Sequence, residues 1–201
     1  MIKKQIIANF HHPKGLFGWI AGRIMATRES NVTRNLWVAD LLSPAPTARI
    51  CEIGHGPGLA IEALASTLTS GHIVGVEISK LMSQTAARRN RAAVEAGRVE
   101  FRVADSANLP ADLGQFDLIF GVNASMFWAD TQAAINGLVD RLAPGGELVL
   151  VFMPPPTSDH TAAAVAADYG RHFAAAGLTN IGHDEMDFDP PAIATRGRRH
   201  Q

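Results

Sequence analysis
From residue 49 onward, short apolar runs alternate with alanine-rich runs of helical pattern, and this alternation constrains the fold more than any other feature of the chain. "RICEI" (Arg49 to Ile53), "HIVGVE" (His72 to Glu77), "RVEFRVAD" (Arg98 to Asp105), "FDLIFGVN" (Phe116 to Asn123) and "ELVLVF" (Glu147 to Phe152) read as strands. Leu59 to Leu68, Lys80 to Glu95, Asp130 to Leu142 and Thr161 to Ala176 read as helices, with Pro144-Gly145-Gly146 as a stop signal and Gly177 closing the last helix. The fourth strand is apolar almost throughout, as a parallel strand covered on both faces must be. Alternating βα units predict an α/β fold: a doubly wound, mostly parallel sheet with helices on both faces. "TNIGHDEMDF" and "AIATRGR" supply two last strands, for seven in all.

Between the first strand and the first helix lies "EIGHGPG", residues 52 to 58. Glycine is costly inside regular structure, so three of them in one turn ask for a reason. In an open α/β sheet, ligands bind beyond the carboxyl ends of the strands, where the strand order reverses. Gly54 and Gly56 lie at that end, where a missing Cβ lets backbone approach a ligand and N–H groups at the helix start point toward it. Glu77 ends the second strand, 19 residues after Gly58, and a carboxylate there can accept from both hydroxyls of a ribose. Asp105 ends the third strand and can accept from a donor such as an exocyclic amine; Asn123 ends the fourth. Any one of these polar residues alone is more often a helix cap or a solvated group. Four successive strand ends facing one crevice make a nucleoside site. A nicotinamide dinucleotide fits poorly, because Leu59 stands where the G-x-G-x-x-G/A fingerprint needs a small residue, and Glu52 would oppose a pyrophosphate. A ligand with an ammonium and a sulfonium suits Glu52.

The chain thus resembles the class I S-adenosylmethionine (SAM)-dependent methyltransferases in "EIGHGPG" (52–58), "GVEIS" (75–79), "VADSANLP" (103–110), "FDLIFGVNASMFW" (116–128) and "LAPGGELVLVF" (142–152). The resemblance implies their Rossmann-like fold, with SAM as cofactor and S-adenosylhomocysteine (SAH) as product. It implies that Glu52 and the loop Gly54, His55, Gly56 and Gly58 hold the methionine part. Glu77 takes the ribose hydroxyls, Ile78 packs on adenine, Asp105 accepts from the adenine amine with Ser106 beside it, and Asn123 lines the methyl-transfer region. His55 departs from the small or aromatic residues common in that loop, and space filling is its simpler role.

Composition bounds the rest. A chain of 201 residues with 47% hydrophobic and 18% charged residues fits one soluble domain. The net charge of -1 argues against a nucleic-acid partner. "ARRNR" (87–91) and "RGRRH" (196–200) then read as solvated surface. Cys51 is the single cysteine, which excludes an internal disulfide and fits a reducing compartment. With no run suited to a signal peptide or a membrane span, the expectation is a cytoplasmic monomer or homodimer without membrane contact. Eight histidines without H-E-x-x-H spacing predict no metal.

The expected acceptor is a small, partly apolar molecule methylated at O, N or C, in a pocket built by Met126, Phe127, Trp128 and Met153. "NASMFW" lacks the N/D-P-P-Y/F of exocyclic-amine methylases. An RNA or protein methyltransferase, or a non-catalytic SAM-binding protein, are the alternatives. Methyl transfer mainly needs alignment, and a base only where a proton must leave; His11, His12 and Tyr169 are the candidates for that role. Residues 1–42, which carry Phe10, Leu16, Phe17, Trp19 and Ile20 and a helix in "NVTRNLWVADLL", are expected to form a lid or substrate-covering segment over a SAM-binding domain of residues 43–201.

Overall fold
The computed structural model describes residues 29–154, 160–187 and 191–201. The expectations placed on His11, His12 and the rest of residues 1–28 lie outside the described residues. The described chain runs α1 (Glu29–Leu42), β1 (Arg49–Ile53), α2 (Leu59–Ala65), β2 (His72–Glu77), α3 (Lys80–Arg89), α4 (Arg91–Glu95), β3 (Val99–Val103), β4 (Phe116–Val122), α5 (Thr131–Asp140), β5 (Leu142–Phe152), α6 (Ala162–Ala175), β6 (Thr179–Met186) and β7 (Ala192–Arg198). Short 3-10 turns at Ala111–Leu113 and Ala124–Phe127 flank β4.

The seven strands form one sheet in the order β3-β2-β1-β4-β5-β7-β6. Strands β1 to β5 are parallel, and β7 runs antiparallel to both β5 and β6. The chain winds outward from β1 through β2 to β3, then returns to β4 on the other side of β1. The switch point, and with it the crevice expected to bind a ligand, therefore lies between the carboxyl ends of β1 and β4.

Period-two alternation sorts the strand residues onto two faces. Ile50 of β1 joins Ile61, Leu64, Phe120, Val149 and the α1 residue Val38 in one core layer. Cys51 and Ile53 point the other way, into a layer with Ile119, Leu150, Ile135 and Phe173. Helices α3, α5 and α6 start on side chains that cap them: Ser79 accepts from the Met82 N–H, Asp130 from Ala133 and Thr161 from Ala164.

Two expectations need correction. Lys80 to Glu95 is not one helix: it breaks at Asn90, whose buried side-chain amide donates to the carbonyls of Gly58 at 3.1 Å and Ala86 at 3.0 Å. The tertiary bond to Gly58 competes with helical continuation. Pro144-Gly145-Gly146 does not precede the fifth strand but lies within it. Residues 143–146 bulge out between the pairs Phe116–Leu142 and Leu118–Glu147. At Gly146 a Cβ would meet the Ala143 carbonyl at 2.9 Å and the Phe116 carbonyl at 3.0 Å, so the bulge requires glycine there.

Candidate active site
The glycine loop sits at the carboxyl end of β1, and its three glycines answer to different demands. Gly54 continues the sheet, donating its N–H to the Val76 carbonyl at 2.7 Å, and lies so close to the turn after β4 that a Cβ would come within 2.7 Å of the Ala124 Cβ. Gly58 meets helix α3: a Cβ there would lie 2.8 Å from the Ala86 Cβ and 2.9 Å from the Asn90 amide nitrogen. Gly56, at φ +51°, would meet nothing within 4 Å. Its left-handed backbone faces open space, which is what a loop that receives a ligand needs.

Glu77 ties this loop to the end of β2. Its Oε2 accepts from the Gly56 N–H at 3.1 Å and its Oε1 from the Ser79 N–H at 2.8 Å. The carboxylate is thereby fixed, while each oxygen keeps a lone pair for a further donor. Beside it, Ile78 is 51% exposed, and Val103, in register with Glu77, is 55% exposed. Two exposed apolar side chains thus stand next to a fixed carboxylate. Asp105, exposed, turns the loop after β3 by accepting from the Ala107 N–H at 2.9 Å. The Ser106 hydroxyl accepts from Trp128 Nε1 at 3.1 Å.

Glu52 and His55 lie beneath the loop rather than on its surface. Glu52 is 2% exposed, and the backbone of Ile61 in the first turn of α2 favours its charged form. The N-cap residue Gly58 offers no side-chain cap, so that favourable interaction falls at a helix start in need of one. Burial first, and the nearby Glu77 carboxylate second, push the Glu52 carboxyl well above its ordinary range. Glu52 Oε2 and His55 Nε2 are buried polar atoms without a protein partner. His55 occupies the space over Gly75, where a Cβ would lie 2.9 Å from the ring, and packs at 4.8 Å on the Phe101 ring. Its Nδ1 is 2.9 Å from the Gly56 carbonyl, so the neutral ring donates there from Nδ1.

Burial lowers the His55 imidazole from 6.5 to about 4. Below pH 6.5 the unfolded chain takes up a proton that the folded one refuses, so stability falls as the pH drops from 6.5 toward 4. The loss assigned to His55 across that window is about 2–3 kcal/mol. Urea titrations at pH 7 and pH 4.5 check it: the wild type loses more stability between the two than His55→Phe does, and equal losses contradict the assignment. Glu52 is present in both proteins and cancels from the comparison.

The turn after β4 completes the crevice. Asn123, at φ +54°, accepts from the Met153 N–H at 2.9 Å with Oδ1 and donates Nδ2 to the Met153 carbonyl at 3.3 Å. Its amide thus clamps the ends of β4 and β5 together. Tyr169 is buried in the core, and its hydroxyl bonds the Ser125 Oγ. Burial raises the Tyr169 phenol above its ordinary value; a base must lose its proton, and this environment resists that. Met126 is 41% exposed, Trp128 half-buried and Met153 buried. Phe127 closes the 3-10 turn.

Sequence reasoning missed Gly75, Phe101, Asn90 and Ser125. A glycine inside a strand signals close approach, and Gly75 was open to that reading. Nothing in the sequence marks the other three.

The basic runs are largely neutralised. Arg89 pairs with Glu62, Arg91 with Glu95, and Arg196 and Arg198 with Glu147. Arg198 is in register with Glu147 at the amino end of the parallel strands, away from the glycine loop. Among the described residues no cluster of three or more His, Cys, Asp or Glu could hold a metal ion, and no helix is long and apolar enough to cross a membrane.

The strand order, with the glycine loop after β1 and a fixed acidic residue at the end of β2, defines a Rossmann-like fold. A family model described as a methyltransferase domain matches residues 50–146. The uncharacterized methyltransferase YdaC of Bacillus subtilis is 29% identical over 135 residues, 67% of this chain and 71% of that protein. An O-methyltransferase of Pyrenophora dematioidea is 29% identical over 113 residues, 56% of this chain; the chain spans only 42% of that relative's length. In three dimensions, the SAM-bound magnesium protoporphyrin IX methyltransferase ChlM of Synechocystis PCC 6803 shares the fold with a TM-score of 0.66 at 17% identity, over 96% of this chain and 90% of that one. Over residues 50–146 the chain is thus similar to the methyltransferase-domain family, and its fold is the Rossmann-like fold of the class I SAM-dependent methyltransferases.

Proposed function
We propose that this methyltransferase acts on an oxygen, nitrogen or carbon of a small, partly apolar acceptor, and that SAM lies across the carboxyl ends of β1, β2 and β3. The observation that carries the cofactor site is Glu77, held by two backbone N–H groups beside exposed Ile78 and Val103. The residues fit the group: open space above Gly56 admits a ligand, and buried, unpartnered atoms of Glu52 and His55 lie under the same loop. When bound, SAM supplies a methyl group activated by its sulfonium.

In this reading Glu77 accepts from the ribose hydroxyls and Ile78 and Val103 flank the adenine. Asp105, with Ser106 beside it, accepts from the adenine amine. Gly54, His55, Gly56 and Gly58 shape the loop at the methionine end, and Glu52 braces that loop through α2. Asn123 holds the β4 end against β5 and so fixes the wall where methyl transfer takes place. Met126 and Trp128 present apolar surface to the acceptor, with Met153 completing that side; the side chain of Phe127, expected there too, lies outside the described residues. Residues 1–42 are the proposed cover that excludes water. An apolar mouth with few polar groups suits small organic ligands, and relatives include O-methyltransferases.

Calorimetry with SAM, SAH and NAD tests the cofactor assignment: the first two bind and NAD does not. Tight NAD binding without a response to SAM or SAH overturns it. For the acceptor, cell extract incubated with the protein and isotopically labelled methyl-SAM carries label in the small-molecule fraction. Label confined to RNA or protein overturns the small-molecule reading, and SAH binding with no label in any fraction shows a non-catalytic SAM-binding protein.

A further inference from the structure
The turn after β4 touches the glycine loop, the end of β5, α6 and the loop after β3. Ala124 lies against Gly54 of the glycine loop. Asn123 grips Met153 at the end of β5, and Ser125 bonds Tyr169 on α6. Trp128 reaches to the loop after β3, where its Nε1–H donates to Ser106 Oγ at 3.1 Å. Strands β3 and β4 are not neighbours, since β2 and β1 lie between them. The indole is therefore a strut across the crevice. It joins the loop of Asp105 and Ser106 to the turn that carries exposed Met126.

We propose that Trp128 is a positioning residue that couples occupancy of the cofactor site to the acceptor-facing turn 123–128. The inference rests on the cofactor site assigned above. Of the anchors on this turn, those at Gly54, Met153 and Tyr169 are made to the sheet, the loop packed on it and a core helix. The fourth ends on a serine in an exposed loop, next to Asp105. A ligand that engages Asp105 immobilises the Ser106 hydroxyl one residue later, and the strut then holds the turn in a single arrangement. The coupling is reciprocal: an acceptor seated on Met126 and Trp128 tightens cofactor binding by the same factor.

Hydrogen exchange with SAH as the probe, at concentrations that saturate each protein, tests this. In the wild type, SAH slows exchange in both the glycine loop and the turn 123–128, the latter by about fivefold, the factor that corresponds to stabilising the turn by the net worth of one neutral hydrogen bond. Trp128→Phe keeps an aromatic ring, though a smaller one, and removes the donor, and the SAH-induced slowing of the turn disappears while that of residues 54–58 persists. Ser106→Ala removes the acceptor from the other side with the same expected result, and decides alone if Trp128→Phe fails to fold. Slowing of the turn that is equal in the wild type and the variants overturns the coupling. So does a wild type whose glycine loop responds to SAH while its turn does not. Absence of any SAH response in the wild type instead overturns the cofactor site, and the coupling with it.

Discussion

Glu77→Ala lowers the affinity for SAH by at least two orders of magnitude and leaves the protein folded. Two effects add. The ribose hydroxyls lose an ionised acceptor, and hydrogen bonds to charged groups contribute about 1.5–3 kcal/mol each. The Gly56 and Ser79 N–H groups also lose the carboxylate that fixes them, so the loop must be ordered by the ligand itself. The fold survives because Glu77 closes β2 at its carboxyl end, whereas the core of that strand is Ile73, Val74 and Val76. Glu77→Gln keeps the shape and one carbonyl oxygen but turns an amide donor toward a backbone or hydroxyl donor, and loses about tenfold to a hundredfold. Calorimetry with SAH, paired with thermal melts of each variant, measures both halves of the claim. An SAH dissociation constant within threefold of the wild type at an unchanged melting temperature removes Glu77 from the site.

The inner part of the parallel sheet was legible because β1, β2 and β4 are short, largely apolar and buried runs. Such runs fit only a strand covered on both faces. The glycine loop and the acidic residue after β2 were legible for a related reason: their spacing places them at successive strand ends. What stayed hidden depends on contacts between distant segments. Asn90 reads as one more helical position until its amide is seen to bond Gly58. Glu52 reads as a ligand-facing carboxylate, but alternation along β1 sends it to the same face as Ile50, under α2. His55 looked out of place in the loop because its complement, the space over Gly75 beside Phe101, comes from two other strands. The bulge in β5 defeated a local rule. A Pro-Gly-Gly run stops a helix, yet here the helix had already ended at Asp140 and the run displaces a strand instead.

Alanine at Gly58 and alanine at Gly56 have opposite phenotypes, although the two positions are two residues apart and both have positive φ. At Gly58 the added methyl meets the Ala86 Cβ at 2.8 Å, the Ala86 Cα at 3.2 Å and, at 2.9 Å, the Asn90 amide nitrogen, which is held in place by its bonds to the Gly58 and Ala86 carbonyls. Helix α3 must shift, and the Asn90 bond to the Gly58 carbonyl is weakened with it. Backbone strain of about 1–2 kcal/mol and overpacking of about 1–3 kcal/mol sum to a destabilisation of about 2–5 kcal/mol. For a domain of this size that lowers the melting temperature by about 10 °C. At Gly56 only the strain applies, because the methyl enters open space. The protein stays within about 1–2 kcal/mol of wild-type stability, but the methyl enters the open space over the loop that the cofactor reading assigns to SAM. SAH affinity then falls by more than tenfold, since a contact within van der Waals reach must be displaced. Urea unfolding and SAH calorimetry on the same samples separate the two phenotypes. A Gly58→Ala, Ala86→Gly double variant provides the internal control. Relieving the clash recovers more stability than the Ala86→Gly change costs alone, a positive coupling of the kind contacting residues show. Additive effects at that pair place the destabilisation in the backbone of residue 58 rather than in its packing on α3. Full SAH affinity in Gly56→Ala removes the open side of the loop from the cofactor path.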